Sequence, residues 1–117
     1  MKEKYFKYKG MTCKVVSRKL VSSKFLFVPE MEMEYKCGYV GLNKNHSLYS
    51  VDYNEIKGID VFGGITYSAK EEDLWWLGFD TLRISAPPLL WSEEKTINEI
   101  KKFADQLHQW NLKQLLK

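Results

Sequence analysis

The sequence predicts a single α+β domain, in which a mostly antiparallel β-sheet carries a long C-terminal amphipathic helix on one face. A length of 117 residues is enough for one hydrophobic core and too short for two. Apolar side chains recur at every second position from Met31 to Tyr39, which indicates a strand with one buried face. From Ile97 to Trp110 they recur at spacings of three and four, which indicates a helix.

The N-terminal third of the chain is predicted to form strands. Residues 4–8 and 12–18 are rich in aromatic and β-branched side chains and are separated by a turn at Gly10. Residues 24–28 form a short apolar strand, which Pro29 ends because proline cannot donate to a sheet.

The strand that follows has the clearest pattern. Its alternating apolar positions are Met31, Met33, Tyr35, Cys37 and Tyr39. Val40 and Leu42 break the alternation, so we expect the far end of this strand to be covered on both faces.

A loop with a short helix is predicted over residues 43–58. The first positions of this segment are polar and favour a turn. Residues 50–57 can hold one or two helical turns, with Ser50 or Asp52 as the N-cap.

Further strands are predicted over residues 59–84. Residues 59–67 indicate a strand interrupted by Gly63 and Gly64, and paired glycines inside a strand favour a bulge or a close approach of another backbone or ligand. Residues 74–80 form a strongly apolar strand after an acidic turn.

The C-terminal helix is predicted over residues 92–115. Ser92 is a suitable N-cap, and a capping box at Thr96 is the alternative start one turn later. The apolar stripe contains Ile97, Ile100, Phe103, Ala104, Leu107 and Trp110. One domain therefore spans residues 1–117, with strands in 1–42 and 59–84, a loop or short helix in 43–58 and the helix in 92–115.

Charge is distributed unevenly along the chain. Residues 1–24 contain eight Lys or Arg and one Glu, whereas residues 25–117 contain ten basic and fourteen acidic residues. No apolar run approaches the ~20 residues of a membrane span, and the first residues lack the apolar stretch of a signal peptide. We therefore expect a cytoplasmic protein that does not enter a membrane.

Two cysteines, Cys13 and Cys37, are too few for a disulfide framework or a zinc site made of cysteines alone. In a reducing cytoplasm we expect two buried thiols. A bridge between neighbouring strands is the alternative.

Ordered motifs occupy the middle of the chain and cover roughly half of it. They are CGYV at 37–40, HSLY at 46–49, DY at 52–53, DVFGGITY at 60–67 and WWLGFD at 75–80. This ordered set resembles a family of small bacteriophage and prophage proteins for which no activity is established. The resemblance implies a phage-type accessory protein.

The chain departs from that family's pattern at two places. Family members usually have His before the paired glycines and Cys-Ala-His after Gly-Phe-Asp. This chain has Phe62 at the first place and Thr81-Leu82-Arg83 at the second. A metal or acid/base site built from those family histidines would be largely lost here.

We expect the protein to act by binding, with no catalytic residues, metal or cofactor. The expected partner is a host protein or a small nucleotide-like molecule, which the protein would sequester or inhibit, for example to counter host defence. A homodimer is also compatible with the wide helix stripe and an exposed tryptophan. The expected contact residues are His46, Tyr49, Tyr53, Gly63, Gly64, Trp76, Asp80 and Arg83.

Two alternatives remain open. A small hydrolase or metal-dependent enzyme would use His46 with Asp60 or Asp80, which must then lie at contact distance. A nucleic-acid-binding module would use the N-terminal segment KYFKYK, which interleaves lysines with aromatics. The same lysines also suit an edge strand that avoids aggregation, so nucleic acid is not the favoured partner.

Overall fold

Five antiparallel strands form one sheet in the computed structural model, which describes residues 2–22, 31–82 and 91–115. The strands are β1 (Lys2–Tyr8), β2 (Met11–Ser22), β3 (Met31–Leu42), β4 (Tyr67–Glu71) and β5 (Leu74–Asp80), in the spatial order β1-β2-β3-β5-β4. The helix α1 (Glu93–Leu115) follows the last of these strands. The predicted α+β class, with an antiparallel sheet and a long C-terminal helix, is confirmed.

The N-terminal hairpin forms as the sequence predicts. Lys9 and Gly10 make a two-residue turn, both with positive φ (49° and 78°), which matches the twist of an antiparallel hairpin. Strand β2 extends beyond the predicted end, to Ser22, because it pairs with β3 over that whole length. The predicted strand at 24–28 lies outside the described residues.

One face of the sheet, the helix side, is covered by α1. The buried side chains on this face come from four elements: Cys13 and Val15 on β2, Val40 and Leu42 on β3, Leu77 and Phe79 on β5, and Ile100, Phe103, Ala104 and Leu107 on α1. The four helix residues have no exposed surface, as the predicted apolar stripe requires. The far end of β3 is buried on both faces, also as predicted.

Gly38 on β3 sets how closely α1 approaches the sheet. A Cβ atom at this position would lie 2.5 Å from Phe79 and 2.6 Å from Ile100. Such distances are far below van der Waals contact, so only glycine allows the helix and the Phe79 ring to lie against the β3 backbone.

The segment 43–66 (the crossing segment) covers the rest of the helix side. It buries Leu48, Ile56 and Val61 in the same core as the helix. Its only helical turn is a short 3-10 turn, Tyr53–Glu55, with Asp52 at the N-cap position. The helix predicted within residues 50–57 is therefore present only as this three-residue turn.

The predicted strand at 59–67 is wrong over residues 59–66. The N–H of Gly64 donates to the carbonyl of Val61 at 2.8 Å, which closes a turn. Gly63 and Gly64 both have positive φ (72° and 80°), so the chain reverses there instead of continuing extended. Strand pairing begins only at Tyr67.

Helix α1 begins where Ser92 caps it. The Ser92 Oγ accepts a hydrogen bond from the N–H of Lys95 at 3.0 Å, in the N-cap geometry. Thr96 lies inside the helix, where its hydroxyl donates to the carbonyl of Ser92 at 2.8 Å. The Ser92 start is confirmed, and the start at Thr96 is wrong.

Replacing Gly38 by alanine should destabilise the fold by about 1–3 kcal/mol, because the new methyl group overpacks the core between Phe79 and Ile100. Chemical denaturation of the two proteins measures the loss. Gly41→Ala is the matched control on the same strand, since a Cβ there would meet Leu74 at 3.1 Å and Trp76 at 3.2 Å, which smaller shifts relieve. Equal losses for both variants would contradict the role of Gly38.

Candidate functional site

His46 holds the crossing segment against the C-terminal half of α1. The N–H of Leu48 donates to its Nδ1 at 3.0 Å, and its Nε2 lies 2.9 Å from the carbonyl oxygen of Leu107. A carbonyl only accepts, so Nε2 carries the proton and Nδ1 does not. The ring is thus fixed as the neutral Nε2–H tautomer.

The environment of His46 favours this neutral form. Burial lowers the pKa of the imidazole, and the nearby His108 lowers it further, against the opposing effect of the Leu107 carbonyl. With both ring nitrogens engaged, His46 acts as a structural clamp in this conformation. Its predicted role as a contact residue finds no support in these bonds.

Other polar side chains of α1 bond the backbone of the crossing segment in the same way. Gln106 accepts from the N–H of Asp60 and donates to its carbonyl, both at 2.6 Å. Glu99 accepts from the N–H of Phe62 at 2.8 Å, and Asn111 accepts from the N–H of Ser47 at 3.0 Å. These contacts replace the strand pairing that the sequence suggested for this region.

The seven predicted contact residues that the structure describes do not form one site. Five of them lie in the crossing segment: His46, Tyr49, Tyr53, Gly63 and Gly64. Trp76 and Asp80 project from β5 on the opposite face of the sheet. Arg83 lies outside the described residues.

This opposite face, the outer face, carries a second hydrophobic cluster. Its buried members are Val16, Cys37, Tyr39 and Trp76, with Tyr35 and Leu74 packed against them. Trp75 belongs to the helix side, where its Nε1–H donates to the carbonyl of Val51 at 2.9 Å. The two adjacent tryptophans therefore enter opposite faces, as strand geometry requires. Trp76 is only 5% exposed, so it is not the open platform that its candidate role suggested.

Lys14 is held among three aromatic rings of the outer face. Its Nζ lies 4.5 Å from the ring centre of Trp76, 5.1 Å from that of Tyr39 and 5.8 Å from that of Tyr5. The carboxylate of Glu71 lies 3.7 Å from the same nitrogen. Cation–π attraction and this ion pair together hold the ammonium group, and the side chain is only 11% exposed.

Arg18 holds the next part of the outer face. Its Nη2 donates to the Tyr39 hydroxyl at 3.0 Å, and the Tyr39 ring packs edge-on against Tyr67 with 5.5 Å between ring centres. A groove of about 460 Å³ runs beside these groups and is lined also by Asp80. Asp80 accepts hydrogen bonds there from the hydroxyl of Thr66 and the N–H of Leu82.

Sequence reasoning missed most of this outer-face cluster. Lys14, Arg18 and Tyr39 are not among the eight expected contact residues, and Tyr5 belongs only to the segment named in the nucleic-acid alternative. The available signal was the alternation along β2, in which Lys14 and Arg18 take the face opposite to the buried Cys13. That pattern shows a shared face, but it does not show that β5 brings Trp76 beside these groups.

Carboxylates outnumber cations around the outer face. A second groove, of about 570 Å³, is lined by Tyr5 and Trp76 and by Glu3, Glu71 and Glu72. Among the described residues that line the two grooves, Asp80 is a fourth carboxylate, and the only cations are Lys14 and Arg18. This balance disfavours the phosphate backbone of a nucleic acid.

Part of the charge of the basic N-terminal segment is paired with carboxylates of later elements. Three of its lysines lie within 4 Å of a carboxylate from a later element: Lys4 with Glu93 at 3.6 Å, Lys9 with Asp105 at 2.8 Å and Lys14 with Glu71 at 3.7 Å. The segment is thus an edge of the sheet paired with acidic neighbours, which weakens the nucleic-acid alternative.

The two cysteines are free and buried, as expected. Cys13 faces the helix side and Cys37 the outer face, so the sheet itself separates the two thiols. Burial raises the pKa of both groups, that of Cys13 to about 12. Both are therefore poor nucleophiles at neutral pH.

The residues of the enzyme alternative are not gathered together. His46 lies beyond the end of β3 that pairs with Trp75, and Asp80 lies at the other end of β5, roughly 17 Å further along an extended strand. The Asp60 carboxylate lies 3.4 Å from Lys102 on the exposed side of α1. Within the described residues, no three His, Cys, Asp or Glu side chains are arranged to hold a metal ion.

Comparison with protein-family models, with curated proteins and with solved structures finds no significant match to this chain. The resemblance to small phage and prophage proteins therefore stays a prediction from the motifs. In the part of the chain that the structure describes, no helix has the length and apolar character needed to cross a bilayer.

The His46 clamp should make the fold sensitive to mild acid. Its pKa lies below the unfolded value of about 6.5, so the unfolded chain binds this proton more readily. The stability that the clamp contributes is present above pH ~6.5 and is lost as the pH falls from there through the folded-state pKa. Urea denaturation at a series of pH values measures the effect.

The His46→Gln variant should be less stable at neutral pH by about 1–2 kcal/mol, because two partly buried hydrogen bonds are disrupted. It should also lose less stability than the wild type between neutral pH and pH ~5, since it lacks the titrating ring. Gln109→Ala, at an exposed position of the same helix that carries no titrating group, is the control and should keep the wild-type profile. A wild-type profile in His46→Gln would exclude the clamp.

Proposed function

We propose that this chain is a phage-type accessory protein that acts by binding a host protein through the outer face of its sheet. The observation that carries the proposal is the cluster of aromatic rings and two cations on the face that α1 does not cover. The proposed role is to sequester or inhibit that host protein, and the proposed location is the cytoplasm of the host. No chemical reaction is part of the proposal.

The composition of the outer face supports a protein partner. Tyr, Trp and Arg are the side chains that most often dominate the energy of protein interfaces, because they bury large areas at a low entropy cost. Tyr5 is 55% exposed and Tyr67 is 37% exposed, at the two sides of the buried Trp76 and Tyr39. The exposed pair can therefore contact a partner while the buried pair keeps the surface rigid.

The charge of the outer face indicates what the partner presents. Glu3, Glu72 and Asp80 line the two grooves in addition to Glu71, which pairs with Lys14. A basic protein surface would complement these carboxylates, and its arginines and lysines could also stack on the exposed tyrosine rings. We therefore propose a partner with a basic contact patch, in preference to a nucleic acid or a second copy of this chain.

The experiment compares partner capture by the wild type and by the double variant Tyr5→Ala/Tyr67→Ala. Both tyrosines are exposed, so the variant should keep the fold. We expect the captured host protein to bind the double variant at least tenfold more weakly, because truncated aromatic contacts typically cost more than about 1 kcal/mol each. Calorimetry with the purified partner measures the change.

Leu112→Ala is the matched control, since this side chain is 47% exposed but lies on α1, on the other side of the sheet. It should bind the partner like the wild type, and wild-type binding should weaken as salt is raised. Equal binding by the double variant, or a partner without a basic patch, would contradict the proposal. Dimer formation lost in the double variant would instead assign the outer face to self-association.

A further inference from the structure

A further cavity, of about 390 Å³, lies at the end of the strands and shares Thr12 and Leu74 with the larger outer-face groove. The β1–β2 turn, the end of β3, the start of the crossing segment and the C-terminal half of α1 enclose it. This volume is within the range of small-molecule sites, about 300–1,000 Å³.

The ionisable side chains that line this cavity are two lysines and two histidines, of which His46 is the neutral ring described above. They are Lys7, Lys9, His46 and His108, and none of the described lining residues is an Asp or a Glu. Lys9 is paired with Asp105, which lies outside the lining, at 2.8 Å. The ammonium group of Lys7 donates to the neutral hydroxyl of Thr12 at 2.6 Å, and its positive charge is left for an anion.

Amide groups add hydrogen-bond donors to the same cavity. The Asn111 Oδ1 accepts from the N–H of Ser47 at 3.0 Å, which fixes the orientation of this amide and leaves its NH₂ group as the donor. Asn45 also lines the cavity. A lysine, a histidine and amide donors around one space form a set that suits the oxygens of a phosphate group.

The remaining wall is apolar. Met11, Leu42 and Leu74 line the cavity on the side of the sheet. A bare phosphate ion would gain nothing from contact with this apolar wall, whereas a planar ring could pack on it and on the flexible Met11 side chain.

We propose that this cavity binds a small phosphate-bearing organic molecule of the nucleotide class. The phosphate lies with Lys7, His108 and Asn111, and the ring packs against Met11 and Leu74. The proposal does not rest on the partner proposed for the outer face, although the cavity shares Thr12 and Leu74 with one groove of that face.

Titration calorimetry with nucleoside monophosphates and with the matching nucleosides, at low salt, tests the site. We expect at least one monophosphate to bind, its nucleoside to bind at least tenfold more weakly, and inorganic phosphate to compete. Absence of monophosphate binding at millimolar concentration, or equal binding of the nucleoside, would overturn the proposal.

Variants then locate the binding. Lys7→Gln should weaken monophosphate binding at least tenfold, whereas Lys70→Gln, an exposed lysine on β4 outside the cavity, should not change it. His108→Gln provides a second change within the cavity and should also weaken binding. The variant Tyr5→Ala/Tyr67→Ala should bind the monophosphate like the wild type. Unchanged monophosphate binding in both Lys7→Gln and His108→Gln, or loss of this binding in the tyrosine variant, would place the ligand elsewhere and contradict the proposal.

Discussion

The fold depends on how the backbone N–H and C=O groups of the crossing segment find hydrogen-bond partners. Residues 43–66 pack over the helix side of the sheet with almost no regular structure, so their N–H and C=O groups lack a ladder of their own. Side chains of α1 supply the partners: Gln106 bonds the backbone N–H and carbonyl of Asp60, and Glu99 bonds the N–H of Phe62. In the reverse direction, His46 of the crossing segment bonds the carbonyl of Leu107 on α1. The helix thus covers the sheet and also fixes the segment beside it.

Because the helix and the crossing segment lie on one face, the other face has to bury its own apolar groups. It does so with large rings laid over small residues. A Cβ atom at Gly78 would lie 2.4 Å from the Tyr39 ring, so the glycine allows this ring to lie flat on β5. Lys14 lies over the Trp76 ring and Arg18 bonds the Tyr39 hydroxyl, so these two cations complete the cover of this face. The result is a stiff, mixed aromatic and charged surface, which is unusual for a face that only meets water.

Local patterns were enough to predict the elements whose structure has a local cause. The β1–β2 turn, the alternation of β3, the strand at 74–80 and the cap at Ser92 all follow from neighbouring residues. The strand expected at 59–66 failed because Gly63 and Gly64 adopt positive φ and because partners for this backbone come from α1, some forty residues further along the chain.

The site was harder to predict for a related reason. Periodicity shows which residues lie on the same face of a strand, but it does not show which of the two faces a distant helix will cover. The stripe of Tyr35, Cys37 and Tyr39 marks the outer face, while Gly38, at an intervening position of the alternation, lies against α1. Trp76 and Asp80 are predicted because they belong to the motif at 75–80, whereas Tyr5, Lys14 and Arg18 become their neighbours only through the order of strands in the sheet.

The contact between the first hairpin and the last helix has a consequence for synthesis on the ribosome. Tyr8 donates to Asp105 at 3.0 Å, across 97 residues of sequence, and Lys4 and Lys9 also reach α1. The apolar side of β1 and β2 therefore stays uncovered until α1 has been made. Folding of this domain therefore waits for α1 to be made, and its rate is limited by long-range closure and not by helix formation. In the nascent chain, Lys2, Lys4 and Lys7 on β1 disfavour aggregation through this uncovered edge strand.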